Sequence, residues 1–421
     1  MQLIVSVKKW RKELTRQLDW RHTFRGLRYP NFRLWFWGQL ISLFGTWMQI
    51  TAQGYLVFEL THSPAFLGYV GFVSGMPAWL FMLLGGVLAD RMSRRKLLLI
   101  TQSTMMVLSL VLALLTFSQL VRPWHIILLA FGMGIANAFD APARHVIVSE
   151  MVAVEDLTNA IALNATIFNS ATAVGPAISG ITYAAFGPGW CFTINSISFL
   201  AVIIALLKMK VPATPALRPN HSTQIALRQG LRYIIGAPII RTIIGLIAIA
   251  SLFAVSFVTL IPAWAVRILG GDETTNGLLQ SARGIGALLS ALFIASLGQF
   301  RFKGKLLMAG ALIFPILLLM LSLVRWLSLS LLLLIGIGFA MILVMNLSNS
   351  LVQSLVPNEL RGRVMSVYSL TFFGLTPFGA LWTGAVAERF GEPTALILGA
   401  MVSLVCVVAV WFWMPQLRRL E

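Results

Sequence analysis

Long apolar runs separated by short polar stretches dominate the chain. Most runs hold about 20 residues, and a helix of that length crosses the ~30 Å hydrocarbon layer of a bilayer. The pattern predicts an all-α membrane protein with twelve transmembrane helices. Six lie near 31–57, 65–89, 97–119, 124–148, 159–184 and 190–209. Six more lie near 240–265, 277–298, 305–324, 328–353, 363–387 and 393–413. The expected organisation is a basic N-terminal segment 1–30, a six-helix bundle 31–209, a central loop 210–239, a second bundle 240–413 and a tail 414–421. Within the central loop, KMKVPATPALRPNHSTQ is rich in proline and polar residues, and IALRQGLRYIIG reads as a short interfacial helix.

Composition strengthens this picture. Of the 421 residues 58% are hydrophobic and 11% charged, with mean hydropathy +0.85. A soluble domain carries about 25% charged residues, so this chain has too few to cover a surface facing water. Cys191 and Cys406 both sit inside apolar runs and build neither a disulfide framework nor a metal site.

The net charge of +18 invites a nucleic-acid reading, which its distribution excludes. Basic residues gather at 1–33, 91–96, 208–241, 301–305, 361–363 and the C-terminus, whereas alternate loops carry single residues such as Arg122, Arg267, Arg325 and Arg389. That alternation is the positive-inside pattern. It places both termini and the central loop in the cytoplasm of a multi-pass inner-membrane protein. The N-terminal segment has basic residues throughout and no apolar core, so it is read as a strip lying on anionic lipid rather than a cleavable signal.

The two bundles repeat. Gly132-x-Gly134 corresponds to Gly336-x-Gly338, Val152 to Val356, Gly175 and Gly180 to Gly379 and Gly384, and Phe186-Gly187 to Phe390-Gly391, each 204 residues apart. Pro30-x-x-Arg33 has a counterpart in Pro238-x-x-Arg241. Five coincidences at the starts and at one offset imply two like-oriented, pseudo-symmetric halves, with a path between them.

Between the second and third helices stands Gly86-x-Leu88-Ala89-Asp90-Arg91-x-Ser93-Arg94-Arg95-Lys96. With six plus six helices around it, this loop resembles the hallmark G-x-L-A-D-R-x-G-R-[RK] of the major facilitator superfamily, with Ser93 where glycine is usual. THSPAFLGYVGF, DAPARHVIVSEMVAVEDLTNAIALNATIFN and VPNELRGRVMSVYSLTFFGLTPFGALWTG resemble the bacterial efflux branch that contains the enterobactin exporter. The resemblance implies a cytoplasmic gate. Gly86 allows close helix approach, as does Gly71-x-x-x-Gly75 on the same helix. Asp90 would sit at the N-terminus of the eleventh helix, near Arg363 and Ser366, where free N–H groups and the helix dipole favour a carboxylate. Arg91 and Arg95 belong to the same loop, and Arg94 would partner an acid on the fourth helix, Asp140.

Asp140 lies about eight residues inside the cytoplasmic end of its helix, where an unpaired carboxylate costs at least ~2.5–3.5 kcal/mol. Arg144 at i+4 has the spacing for an ion pair. A structural pair and a proton-carrying acid both remain open. Gly175-Pro176-x-x-Ser179-Gly180 on the fifth helix resembles the antiporter motif of proton-linked exporters, with Ser179 and Ala171 replacing glycines; a packing kink is the plainer alternative.

Other polar residues inside helices are candidates for lining a cavity, or for ordinary interhelical hydrogen bonds: Gln39, Gln49, Gln53, Asn137, Asn164, Asn169, Gln280, Asn346, Asn349 and, among aromatic residues, Tyr368. Arg283 is always charged, so it either meets an anionic cargo or pairs with an acid such as Glu59.

No P-loop, metalloprotease motif or nucleophile elbow occurs, and neither cofactor nor metal is expected. The sequence therefore predicts a monomeric, non-enzymatic secondary exporter. It would move amphipathic small molecules, siderophore-like or drug-like, by alternating access, with protons as the coupling ion. An uncoupled facilitator is the alternative within transport, and a membrane scaffold or sensor the alternative outside it.

Overall fold

The computed structural model describes residues 24–209, 223–297 and 300–420, apart from the side chains of Met82, Leu83, Gly86, Val87, Ala89, Asp90, Arg91 and 223–227. Gly86, Asp90 and Arg91, expected in a gate, the first 23 residues of the basic segment and most of the proline-rich loop thus lie outside the described side chains or residues.

The described residues form twelve long helical runs and one shorter helix. They are α1 (Pro30–Thr61), α2 (Pro64–Arg91), α3 (Arg94–Phe117), α4 (Pro123–Ser149), α5 (Leu157–Phe186) and α6 (Pro188–Lys208). Then come the shorter α7 (Thr223–Gly236), α8 (Pro238–Ile268), α9 (Glu273–Leu297), α10 (Lys303–Leu323), α11 (Leu327–Leu355), α12 (Asn358–Phe390) and α13 (Glu392–Trp413). Among the described residues, eleven spans are long and apolar enough to cross a membrane. The long helix missing from that set is α1, whose apolar residues alternate with Gln39, Ser42, Gln49 and Thr51, all buried against other helices. These buried polar side chains lower its hydropathy. By contrast, Ile197, Leu200, Ile204 and Leu207 of α6 and Leu278, Ile285, Leu289 and Leu292 of α9 face outward, as a hydrocarbon solvent requires.

Local sequence sets the helix ends. Proline occupies the first turn of α1, α2, α4, α6, α8 and α13, where its missing N–H costs nothing. Ser93 caps α3 by accepting from the Lys96 N–H at 3.4 Å. The repeated Phe-Gly pair ends α5 and α12: Gly187 and Gly391 adopt φ of 85° and 84°, a conformation that suits glycine. Helix α12 begins at Asn358 rather than near Arg363, so Arg363 lies in its second turn. Gly230 of α7 packs against the Arg363 carbonyl, which places the amphipathic helix under the start of α12.

One helix is irregular. In α8 the α-helical start, Pro238–Ile249, gives way to a π-turn at Ala250–Ala254, a 3₁₀ turn at Val255–Leu260 and a second π-turn at Trp264–Ile268. Pro262 is the one sequence signal for it. Such interruptions re-aim side chains and often mark functional or hinge segments.

Candidate functional site

The helices form two sets, α1–α6 and α8–α13, joined along two seams. One seam is α5 against α9, the other α2 against α12. Each is built around a pair of glycines. A Cβ on Gly277 would lie 2.6 Å from the Pro176 carbonyl oxygen and 3.0 Å from the Gly180 Cα. On the other seam, a Cβ on Gly68 would lie 2.7 Å from the Ala380 carbonyl oxygen and 3.2 Å from the Gly384 Cα. Gly180 and Gly384 are the repeat partners read from the sequence, and Pro176 and Ala380 obey the same offset. Their opposite numbers, Gly277 and Gly68, fall outside the 204-residue register, so the repeat does not mark them.

Both seams occupy the same half of the molecule. They run from the loops at residues 62–64 and 391 and 270–273 inward to Thr172 with Gly284, and to Trp79 with Gly374. At the ends of the seams the described hydrogen bonds between the sets are also found. Glu388 accepts from the Ser63 hydroxyl at 2.7 Å and the Ala65 N–H at 3.2 Å, and Arg267 donates to the His62 carbonyl while pairing with Glu392 at 3.2 Å. At the opposite, basic end, the described ion pairs stay within one set.

There the structure corrects one expectation. Arg94 does not reach Asp140; it pairs with Glu150, at the foot of α4. Arg94 opens α3 and Glu150 follows α4, so both lie at one membrane face, while Asp140 is more than two helical turns deeper. Arg95 donates to the Leu207 carbonyl at 2.7 Å. Near them Asp156 accepts from Arg28 at 2.6 Å and Tyr29 at 2.8 Å, fastening the chain before α1 to the start of α5.

Asp140 itself is 0% exposed. One oxygen accepts from Thr101 at 2.9 Å and Gln102 at 2.8 Å; the other is held by Arg144, whose Nε lies at 2.8 Å and whose Nη2 also bonds it. The i+4 spacing points to Arg144, but Thr101 and Gln102 come from α3, 39 and 38 residues away. Four donors on two oxygens satisfy a buried carboxylate.

The antiporter-like stretch packs three helices together. Gly175 meets the Trp47 side chain of α1, Ser179 donates to the Met48 carbonyl at 2.9 Å, and Pro176 and Gly180 face Gly277 of α9.

The cavity candidates separate by environment. Gln49 is buried and accepts from Asn195 of α6 at 2.7 Å. Tyr368 is buried, donating to the Met345 carbonyl at 3.1 Å. Gln39 and Gln280 are also buried. Gln53, Asn164, Asn169 and Asn349 are half-buried, and Asn137 and Asn346 are exposed. Asn169 donates to its own helix and Gln353 donates to Asn349.

Of the two alternatives for Arg283, an anionic cargo or an acid such as Glu59, the second is not seen. Glu59 is bonded instead by Tyr183, and Arg283, only 6% exposed, has no described ion pair; its Nε has no hydrogen-bond partner.

A family profile described as transmembrane secretion effector matches residues 21–421. The chain belongs to that family. It is 24% identical over 397 residues to the staphyloferrin A transporter of Staphylococcus aureus, covering 92% of this chain and 97% of that one. It is 25% identical over 390 residues to the multidrug efflux pump Tap of Mycolicibacterium fortuitum, covering 90% and 94%. With the enterobactin exporter of Salmonella choleraesuis it shares 25% identity over 270 residues, 63% of each chain. In fold it superposes on a POT family transporter with bound peptide conjugate (TM-score 0.72, 13% identity, 92% and 96% covered). It also superposes on a bacterial homologue of the lysosomal transporter Spinster, inward-facing and unoccupied (TM-score 0.68, 14% identity, 91% and 95% covered). The architecture is that of the major facilitator superfamily, and the protein is a multi-pass membrane transporter, not an enzyme.

Proposed function

We propose that this transporter exports amphipathic small molecules from the cytoplasm by alternating access, drawing on an ion gradient, with protons as the ion. The observation that carries the mechanism is the one-ended closure: two glycine seams and their hydrogen-bonded ends join the sets at the sparsely charged face. With the positive-inside orientation, that face is external and the molecule is in an inward-facing state. Cargo enters from the basic side, the seams part, and the gate around Asp90, Arg94 and Arg95 closes behind it. The names of the similar proteins, a siderophore transporter and drug and enterobactin exporters, support the outward direction and the amphipathic class.

A second reading rests on Asp140. With both oxygens saturated by four donors, this acid is poorly placed to shuttle a proton, which favours an uncoupled facilitator in which gradients of the cargo alone drive flux. Purified full-length protein in liposomes, loaded with a fluorescent amphipathic dye, separates the two. Concentrative dye movement that follows an imposed pH gradient supports antiport. Equilibration unaffected by the gradient supports the facilitator, and no movement above empty liposomes rejects both.

A further inference from the structure

Arg283 lies ten residues into α9, about 15 Å from its start, near the middle of a ~30 Å apolar layer. It is 94% buried by its 6% exposure. Its backbone is clamped: Gly338 of α11 packs on the Arg283 carbonyl, and the adjacent Gly284 packs on the Thr172 carbonyl of α5. The outward stripe of α9 is Leu278, Ile285, Leu289 and Leu292. Helical phase turns the opposite stripe, Asn276, Gln280, Arg283 and Ser290, inward, towards α1 and the Ile261–Ala263 segment of α8, which α9 also touches.

A guanidinium in that position needs an anion, because an unpaired buried charge is strongly destabilising. Among the described residues none is on offer. Asp140 is held by Arg144, Glu392 by Arg267, Glu388 by Ser63 and Glu59 by Tyr183. Asp272 and Glu273 sit at the start of α9, about 15 Å away along the axis. The acids at 150, 155, 156 and 359 lie beyond the helix ends or in a first turn on the opposite face, and position 90 closes α2 on that face too. Along the same inward stripe, the Asn276 Oδ1 and Ser290 Oγ are buried without hydrogen-bond partners, as is the Arg283 Nε. Three unsatisfied polar atoms on one face of one helix do not belong to a finished core.

We infer that Arg283 is the anchor for an anionic cargo: a small organic acid whose carboxylate pairs with the guanidinium and whose hydroxyl or amide donor reaches Asn276. The two side chains are seven residues apart, so the carboxylate and the donor are separated by about 10 Å. Arginine suits a planar carboxylate because it offers two parallel N–H bonds. This inference rests on the transport reading and adds the cargo's charge and polar spacing to it.

The test uses the full chain in phosphatidylcholine nanodiscs, with 6-hydroxy-2-naphthoate and its uncharged amide as fluorescent probes. The wild type binds the carboxylate more tightly than the amide. Arg283→Gln weakens carboxylate binding roughly tenfold or more, the worth of a charge-assisted contact, and leaves amide binding unchanged; Arg283→Lys falls between. Unchanged amide binding also certifies that Arg283→Gln is folded. Equal loss of both probes, or wild-type affinity for the carboxylate in Arg283→Gln, overturns the inference. So does displacement of the carboxylate by phosphatidylglycerol added to the discs, which would assign the site to a lipid headgroup. If liposome transport of the amide persists in those cases, the export reading stands without the anionic cargo. If the wild type neither binds nor moves either probe, both fall.

Discussion

Asp140 and Arg144 are paired within one turn of α4, and that pair excludes Arg94, which bonds Glu150 instead. The basic loop after α2 is therefore tied to the end of α4 through Glu150, while the buried acid is sealed by donors of α3 and α4. The ion pair of the basic loop and the buried acid are separate.

Asp140→Asn leaves Arg144 without its carboxylate in a partly buried site. Breaking a buried pair from one side costs about 3–5 kcal/mol, so thermal unfolding in detergent drops by several degrees and yield falls. Asp140→Asn with Arg144→Gln recovers part of the loss, because no uncompensated charge remains. If pH-driven transport disappears while downhill exchange and stability stay at wild-type levels, Asp140 carries the coupling proton and the structural assignment is wrong.

Gly277→Ala places a methyl 2.6 Å from the Pro176 carbonyl oxygen, a backbone atom that cannot swing aside. The α5–α9 seam must widen, and the closed state at that face loses population. A cysteine at Thr274 labels faster in this background. Gly245→Ala, where nothing lies within 4 Å, leaves labelling unchanged and serves as the control; equal behaviour of the two rejects the seam as a gate.

Glu388→Gln and Arg267→Gln weaken the ties at the outer ends of the seams. Each tie across the seam is a hydrogen bond with one charged partner, worth about 0.5–1.5 kcal/mol net, so each substitution shifts the state ratio by roughly two- to tenfold. The double variant shifts it further, and spin-label distances across 62 and 391 report it as a population at longer separation. An unaltered distribution in the double variant would leave the glycine seams as the sole closure.

Asp272 caps α9, accepting the Thr275 N–H at 2.9 Å and its hydroxyl at 3.0 Å. The backbone hydrogen bond from Thr275 holds its carboxyl below the usual aspartate value, opposed by partial burial. The folded value being depressed, this contribution is complete above the unfolded value near 3.8 and is lost as pH falls through the folded one. Asp272→Ala costs roughly 1 kcal/mol at neutral pH, as loss of an N-cap does. It also flattens the acid limb of stability below about pH 4. Parallel acid limbs for the wild type and variant would remove Asp272 as its source.

The orientation has its own measurement. Impermeant thiol reagent applied to intact cells modifies Thr274→Cys and leaves His221→Cys untouched if the basic face is cytoplasmic. The reverse pattern inverts the topology and, with it, the inward-facing assignment.

Local chemistry determined what could be read without coordinates. Run length marked the spans to within a few residues, because the bilayer forces each helix to satisfy its own backbone and cover itself in apolar atoms. Proline at helix starts and glycine at positive φ closed the repeated turns. The i+4 rule located Arg144 beside Asp140, since helical neighbours are fixed by geometry alone. Tertiary structure decided the rest. Gly68 and Gly277 matter only because another helix presses on them, and one residue type with no side chain carries no mark of its neighbour. Thr101 and Gln102 reach Asp140 across a helix interface that no local period encodes. The irregular turns of α8 arise where packing competes with the helical ladder. Arg283 was visible as a charge in an apolar run, but that no described acid pairs with it depended on where the other described carboxylates had come to rest.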